Sequence, residues 1–363
     1  MSFARAVCGS VFASVLTGSI AVAQPSGAPA EEMQRDARWL RAVRSISLSG
    51  FAAVQSTARS IPDDSFSLLG TELDGAIEFG RSVQGAVALV YDGTQLAMPV
   101  GFLDLHVGGT RIAPRGGIFA ERGFHLQAGR FDLPFGGDWQ RFAPPDRALS
   151  SAPAITDLIA DGGLNDMGVR AFSVGARWNA SAWLVQGALA GRALGARVAL
   201  TPFSNPFVFR GPSSARPFEI GLSTHLDGRD GRIVDQRAAL DVDLRHGDFN
   251  LAAEWQDRRV VHEVQGLAIG RARGWHLSTE LPVWSPSSVG TLVLARWEAM
   301  RGDALGTPGL GEETTLRRAV AGIHVDMGSW VVLKCEVGWR LGAPEGNGLP
   351  ARSWLLDAMI KKW

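Results

Sequence analysis

The chain has 363 residues, and its 36 basic side chains balance 36 acidic ones, so it carries no formal net charge at pH 7. This balance argues against a nucleic-acid-binding protein, which would present a strongly basic surface. No continuous apolar run reaches 18 residues, so a transmembrane helix is not expected.

The first 23 residues have the pattern of a cleavable export signal. Arg5 provides a positive charge, residues 6–23 are mildly apolar, and Ala21-Val22-Ala23 fits the small-residue cleavage pattern. A membrane-anchoring helix is the alternative, but the segment is only weakly hydrophobic and is followed by Gln and Pro. We expect residues 24–44 to form a periplasmic segment, either a short helix or a disordered linker, and residues 45–363 to form the folded domain.

Polar and apolar side chains alternate along the rest of the chain. In residues 72–79, Leu73 and Ile77 lie on one face, while Glu72 and Asp74 lie on the other. A period of two indicates β-strands, and segments of about ten residues, when tilted, span a hydrocarbon layer. The same alternation occurs in residues 238–245, 249–256, 274–281 and 329–340.

Taken in chain order, this pattern predicts an all-β fold, a transmembrane antiparallel β-barrel of about sixteen strands. The strand at 193–202 is the least regular, because Arg197 interrupts it and Pro202 closes it. The predicted strands are 46–55, 71–80, 83–92, 98–108, 123–132, 168–178, 181–190, 193–202, 216–226, 236–246, 248–257, 272–282, 289–299, 316–327, 329–340 and 353–363.

Short connections at 80–82, 179–180, 246–248 and 328–329 contain the Gly, Asn, Asp or Ser residues typical of hairpin turns. An even number of strands places both chain ends on one side of a barrel. We expect this side to face the periplasm and to carry the tight turns, with the long loops on the other side. The terminal aromatic residue, Trp363, resembles the recognition signal of outer-membrane barrels.

The charged face of each strand is expected to line a water-filled interior. A charge facing lipid costs about 2–4 kcal/mol at the membrane midplane, whereas a charge in a wet lumen costs little. His106, His125, His276 and His324 fall on this inner face, while Phe172, Val174 and Trp178 are expected to face outwards. The alternative is a soluble β-sandwich or lipocalin-like barrel, with its apolar face inside.

Residues 133–167 contain no convincing strand, and a loop of this length in a compact domain is usually functional. The loop follows the sequence Ala-Gly-Arg-Phe-Asp-Leu-Pro-Phe-Gly-Gly at 128–137 and bends at the prolines of 144–147. It returns to the next strand through residues 161–169, which begin with Asp-Gly-Gly.

These segments resemble the outer-membrane porins related to the phosphate-selective porins, which commonly show an AGRF-x-x-PFG strand end, a long Pro-rich loop and an acidic D-x-G return. The resemblance implies a sixteen-stranded, trimeric porin of a Gram-negative outer membrane, whose third external loop folds into the lumen and narrows it. The loop holds only Arg141 and Arg147 as bases against five Asp residues, so the basic ladder of phosphate-selective members is not seen. We expect weak cation preference or none.

The candidate residues for lining the pore or its constriction are charged side chains of the loop and of the strands near it. For the loop charges, a solvated external loop is the alternative. The candidates are Arg130, Asp138, Arg141, Asp146, Arg147, Asp157, Asp161, Asp166, Arg170, Arg177, Arg296 and Lys334.

Motifs for catalysis are missing from the sequence. His262-Glu263 lacks the second His of a zinc-protease helix, and neither a Gly-x-Ser-x-Gly elbow nor a phosphate-binding Gly loop occurs. We therefore expect no enzyme activity, no cofactor and no bound metal. Removal of Cys8 with the signal leaves Cys335 alone, so an intrachain disulfide cannot form.

The sequence thus predicts a porin that lets small hydrophilic solutes or ions diffuse across the outer membrane. Its expected partners are outer-membrane lipid, those solutes, and two further copies of the chain. Two alternatives stay open: an outer-membrane barrel enzyme of the phospholipase or omptin type, and a structural barrel with a plugged lumen.

Overall fold

The computed structural model describes residues 43–59, 65–108, 123–138, 144–187, 191–202, 218–246, 249–261, 270–284, 289–302, 314–341 and 352–362. The expected export signal, nearly all of the expected linker, Arg141 and Trp363 lie outside these ranges. Within them, no helix is long and apolar enough to cross a membrane.

The described residues form sixteen strands, as the alternation predicted. The strands are β1 (Val43–Arg59), β2 (Ser65–Phe79), β3 (Val83–Tyr91), β4 (Leu96–Val107), β5 (Gly123–Asp132), β6 (Asn165–Val174), β7 (Trp178–Val185), β8 (Arg192–Leu200), β9 (Phe218–Arg229), β10 (Arg232–His246), β11 (Phe249–Val260), β12 (Gly270–Trp284), β13 (Val289–Gly302), β14 (Thr314–Met327), β15 (Val331–Arg340) and β16 (Arg352–Lys362).

The sixteen strands form one closed, antiparallel barrel in which each strand pairs with its neighbours along the chain. The barrel closes between β1 and β16, where Gln55 lies opposite Asp357 and donates a hydrogen bond of 2.9 Å to its carboxylate. Closure leaves no unpaired sheet edge, which is the property that lets a barrel exist without aggregating through its strands. The predicted fold class is therefore confirmed.

The barrel end at which β1 begins and β16 ends is called the terminal end here, and the opposite end is the loop end. The predicted turns at 80–82 and 328–329 are confirmed. Pairing of His246 with Phe249 also places a tight connection at the third predicted turn, although residues 247–248 lie outside the described ranges.

The turn predicted at 179–180 is wrong, because these residues lie inside β7 and pair with β6 and β8. The chain turns at residues 175–177 instead, where the Gly175 N–H donates to the Trp178 carbonyl. Tight turns were expected at the terminal end and long loops at the loop end, and the structure follows this only in part. The terminal end carries the long connections 108–122 and 201–217, and the loop end carries a two-residue hairpin turn.

That two-residue turn joins β9 to β10 through Asp230 and Gly231. Their φ angles are +52° and +75°. Two successive positive φ angles are the signature of a type I′ turn, whose twist matches that of the flanking strands, and Asp-Gly is among its preferred sequences.

Side chains alternate between an exposed outer face and a buried inner face along most strands, which explains the sequence pattern. Among the described residues, forty large apolar side chains are exposed. A soluble monomer rarely presents an apolar surface of this extent to water. In β15, Leu333 and Cys335 point outwards, while Lys334 and Glu336 are buried inside. The four histidines assigned to the inner face are all buried, as predicted.

β6 departs from the expected orientation. Phe172 and Val174 are buried inside with Arg170, whereas Val169 is exposed on the outer face. The prediction failed here because the interior next to β6 is apolar rather than wet. The apolar cluster of the interior consists of Ala76, Ala86, Ala88, Val100, Phe102, Phe131, Leu133, Phe172, Val174, Trp183, Val185 and Ala193.

Candidate functional site

The connection between β5 and β6 folds into the barrel. This segment, residues 133–164, is called the inner loop, and it is described at 133–138 and 144–164. At its base, the Leu133 N–H donates a 2.8 Å hydrogen bond to the Leu164 carbonyl. The loop is three residues shorter than the 133–167 predicted, because residues 165–167 pair with β5 as the first residues of β6.

The inner loop contains two short helical segments, a 3-10 helix at Pro144–Asp146 and the helix α1 at Ala154–Leu158. It lies along the inward-facing side chains of β9–β15, which are called the charged wall here. The contacts alternate between apolar sockets and charged anchors, and each type has a separate physical basis.

Apolar side chains of the loop fill three sockets in the charged wall. Phe135 packs on Ala239 of β10, and Leu149 packs on Leu294 and Val320. Ile155 packs on Ala272, next to Gly274. A Cβ added at Gly274 would lie only 2.7 Å from the Ile155 Cγ2 atom, so a larger residue would displace α1.

The Phe135-Gly136-Gly137 segment brings the loop backbone against β9–β11. The Gly136 N–H donates a 3.1 Å hydrogen bond to the Ser223 hydroxyl. Its φ is +72°, and a Cβ there would lie 1.9 Å from a carboxylate oxygen of Glu254. Only glycine fits both this backbone conformation and this contact, which gives the glycine of the PFG sequence a structural role.

Arg296 and Glu298 of β13 hold the middle of the loop. The Arg296 guanidinium donates to the Ser151 carbonyl at 2.9 Å, to the Ser151 hydroxyl at 2.7 Å and to the Ala152 carbonyl at 3.0 Å. The Glu298 carboxylate accepts a 2.6 Å hydrogen bond from the Ala154 N–H, at the start of α1. Arg318 of β14 bonds both Glu298 and the Ala152 carbonyl.

β15 holds the preceding part of the loop. The Lys334 ammonium donates to the carbonyl oxygens of Pro144 and Arg147. The Glu336 carboxylate accepts hydrogen bonds from the Ser151 N–H, at 2.9 Å, and from the Ser151 hydroxyl. Charged donors and acceptors therefore satisfy loop backbone groups that water would otherwise solvate.

A third anchor lies where the loop returns towards β6. Asp161 accepts hydrogen bonds from Arg237 at 2.7 Å and from Arg258 at 2.8 Å. Both arginines also bond the buried Asp235. Burial raises the pKa of Asp161, but the two guanidinium charges outweigh this effect, so the pKa lies below its usual value.

The side chain of Asp157 on α1 keeps contact with solvent, yet the surrounding protein excludes much of the bulk water. This partial burial raises the pKa of Asp157 above its usual value, although Arg147 pulls in the opposite direction. An open cavity separates part of the loop from β12 and β13, and its lining includes Asp138, Arg147 and Glu280.

Acidic side chains outnumber basic ones inside the barrel. Among the described residues that are buried, twelve are Asp or Glu and six are Arg or Lys. Several basic groups are also engaged by the loop, as shown for Arg296 and Lys334. The interior is therefore electronegative, apart from its histidines, whose charge depends on protonation.

The structure places the predicted site residues in different environments. Arg170, Arg296 and Lys334 are buried on the inner face. Within the loop, the Arg147 guanidinium lies 3.4 Å from the Asp138 carboxylate, and both residues line the cavity. The backbone of Asp146 belongs to the 3-10 helix, but its side chain and all of Arg141 lie outside the described part.

Three predicted residues have other positions. Arg130 lies on the outer face of β5, directly opposite the exposed Met167, because inward-facing Gln127 and Phe131 fix the strand orientation. Arg177 is exposed in the β6–β7 turn and not in a strand. Asp166 bonds the Gly187 N–H at 2.7 Å, near the β7–β8 connection, and so supports the rim of the barrel.

Several residues that hold the loop were not among the predicted site residues. Their strand alternation was visible in the sequence, and it marks them as inward-facing. It does not reveal which of them meet a loop that is distant along the chain. These residues are Asp235, Arg237, Arg258, Glu298, Arg318 and Glu336.

No protein-family model matches the chain, and no curated protein matches it in sequence. Solved structures match in fold. The trimer form of the outer-membrane protein OmpT of Vibrio cholerae is 11% identical, with a TM-score of 0.60, and the match covers 88% of this chain and 99% of that one.

Two further barrels give similar values. OmpF of Salmonella typhi, in complex with daunomycin, is 10% identical with a TM-score of 0.56, covering 87% of this chain and 97% of that chain. The outer-membrane channel DcaP of Acinetobacter baumannii is 11% identical with a TM-score of 0.55, covering 88% and 97%. The likeness establishes the porin-type barrel fold, without singling out the phosphate-selective group.

Proposed function

We propose that the protein is an outer-membrane channel through which small hydrophilic solutes or ions diffuse passively. The observation that carries this proposal is the inner loop, which crosses the interior and is bonded to the charged wall at several points. A loop held in this way narrows the lumen, and this role requires no catalytic group. Passive diffusion then depends on the remaining width and on the lining charge.

The excess of buried acidic side chains supports a preference for cations. Acidic rings lower the energy of a cation in a narrow aqueous path and raise that of an anion. The loop contributes further acidic side chains, of which Asp138 is paired with Arg147. We therefore propose mild cation selectivity, in place of the anion selectivity that a phosphate channel would need.

The exposed apolar side chains support a location in a lipid bilayer. Most of the large apolar side chains exposed among the described residues lie on the outer face of the strands, where contact with water would be costly and lipid removes that cost. The similar barrels belong to outer membranes by their descriptions, and one of them was solved as a trimer. We extend both properties to this chain as proposals: an outer-membrane location in a Gram-negative bacterium, and a homotrimer.

Planar-bilayer recording of the refolded protein tests the channel proposal. We expect discrete, ohmic conductance steps, and in a salt gradient a reversal potential on the cation side. Protein that inserts without producing steps would contradict the channel. Steps with a firm anion preference would leave the channel intact but overturn the assigned role of the acidic lining.

One observation favours a second candidate, a structural barrel with a plugged lumen. Many inner side chains are almost fully buried, including Arg197 at 1% and Asp357 at 0% exposure, so the open path is narrow. Vesicle swelling with sugars of increasing size separates the two candidates. Uptake of the smallest sugars supports a channel, and complete exclusion of every solute and ion supports a plug.

A further inference from the structure

A cluster of two histidines and one aspartate lies inside the barrel, away from the inner loop. Asp104 and His106 belong to β4, and His125 belongs to β5 directly opposite His106. All three side chains are buried. We propose that they form a binding site for a divalent transition-metal ion of the zinc type.

The distances suit a shared ion. One carboxylate oxygen of Asp104 lies 3.0 Å from the Nδ1 atom of His106 and 3.0 Å from the Nδ1 atom of His125. Ligands about 2.0–2.2 Å from one zinc ion, at octahedral or tetrahedral angles, are about 2.9–3.4 Å apart. The ligating atoms of all three residues lie within 4.8 Å of one another, so small side-chain rotations bring them to one ion.

The cluster can change from a hydrogen-bonded arrangement to a metal-binding one without releasing a proton. When both Nδ1 atoms carry hydrogen, the Asp104 oxygen accepts two hydrogen bonds. When the hydrogens move to the Nε2 atoms, two nitrogen lone pairs and a carboxylate oxygen point to the same region. The neutral imidazoles and the ionised carboxylate are the forms that bind a metal.

A second observation points to a ligand. The other carboxylate oxygen of Asp104, Oδ1, is buried and has no hydrogen-bond partner among the described residues. An unsatisfied buried carboxylate oxygen costs free energy, and this cost is removed if Oδ1 contacts a metal ion or a water bound to it.

The neighbouring aromatic rings hold the cluster in place. His125 stacks on Phe172 with ring centroids 4.4 Å apart, and His106 stacks on His125 at 5.4 Å. Arg170, whose charge interacts with Asp104, donates its hydrogen bonds to Gln127 and to the Asp132 carbonyl. A preformed ligand set loses little conformational entropy on binding.

The donor set determines the class of ion. Two imidazoles and one carboxylate suit Zn²⁺, Ni²⁺, Cu²⁺ or Fe²⁺, whereas Mg²⁺ and Ca²⁺ prefer oxygen ligands alone. Three protein ligands also leave at least one coordination position for water or a solute. The bound ion would join β4 to β5 near the 108–122 connection, at the terminal end.

Zinc titration of tag-free, chelator-treated protein in detergent tests the site, with a chromophoric chelator as competitor. We expect one zinc ion per chain in the wild type. The substitutions Asp104→Asn, His106→Gln and His125→Gln should each weaken binding by more than about 100-fold, because even supporting groups around a metal contribute about 10–100-fold. His276→Gln, which alters a buried inner histidine on β12, is the matched control and should leave the affinity unchanged.

X-ray absorption at the zinc edge of the wild-type complex tests the ligands without relying on the folding of any variant. Two imidazole scatterers in the first shell support the site. No imidazole, or only one, overturns it, as does equal zinc affinity in the wild type and the three site variants.

Discussion

The charged wall and the apolar cluster line the same barrel, but they stabilise it in different ways. In the apolar cluster, residues such as Phe102 and Trp183 are buried together across β2–β8. In the charged wall, residues such as Arg296 and Glu298 form hydrogen bonds with the backbone of the inner loop. The first region resembles the core of a soluble protein, and the second is an interface between a barrel and its own loop.

Because of this difference, substitutions in the two regions should affect different properties, the stability of the barrel in one case and transport in the other. A change in the apolar cluster should weaken the barrel and leave the lumen width alone, because the cluster meets the loop mainly at its base. A change in the charged wall should release the loop and alter the lumen.

The largest effect is expected from Arg296→Ala. It removes three hydrogen bonds to the loop and leaves Arg318 as the one cation bonded to the buried Glu298 among the described residues, and breaking a buried charge pair costs about 3–5 kcal/mol. We expect lower stability in denaturant unfolding and rapid proteolytic cleavage within the inner loop. Arg245→Ala is the matched control, since Arg245 pairs with Asp243 on the same wall. Equal protease resistance in both variants would contradict the anchoring role.

A cavity in the apolar cluster should have a smaller effect of another kind. Phe102→Ala removes a buried ring and is expected to cost about 3 kcal/mol of unfolding free energy. Single-channel conductance should remain at the wild-type value. A change in conductance as large as that of a loop variant would remove the distinction between the two regions.

Gly136→Ala tests the close approach of the loop to β11. The positive φ alone is expected to cost about 1–2 kcal/mol, and the new Cβ would also press on Glu254. Gly162→Ala is the control, because it has a similar positive φ of +81° but no atom within 4 Å of the added Cβ. Both variants should lose stability, and only Gly136→Ala should change the conductance.

The smallest effect concerns pH. Asp161 faces Arg237, Arg258 and the like-charged Asp235, and its pKa is lowered. A carboxyl group with a lowered pKa stabilises the fold above its unfolded-state pKa, and that stabilisation is lost as the pH falls through the folded-state value. The loop should therefore stay protected from acid-active protease until the pH falls below the usual Asp range. Asp161→Asn should be less protected at pH 7, and its protection should vary less with acid than that of the wild type.

The strands could be predicted from sequence because lipid and water impose opposite requirements on neighbouring residues. Lys334 and Leu333 could not exchange faces without burying a charge in an apolar environment. The prediction failed at β6 for the same physical reason. Phe172 and Val174 face an apolar interior, so the rule that apolar residues point outwards does not hold there.

The loop could be located from its length and its prolines, but its contacts could not be predicted. Ser151 is separated by 145 residues from Arg296 and by 185 residues from Glu336, and no local pattern links such positions. Arg130 was assigned to the pore because it precedes the loop, whereas strand pairing with β6 turns it outwards. Its case shows that closeness in sequence is a weak guide to the lining of a barrel.

The most direct test of the account is the single-channel conductance of a variant with a shortened inner loop. Because Leu133 and Leu164 already meet at the loop base, residues 137–160 can be replaced by a short Gly-Ser turn without stretching β5 or β6. We expect a folded barrel whose conductance is several times that of the wild type, with the cation preference reduced. A folded barrel whose conductance equals that of the wild type would show that the loop does not narrow the lumen, and would contradict the central claim.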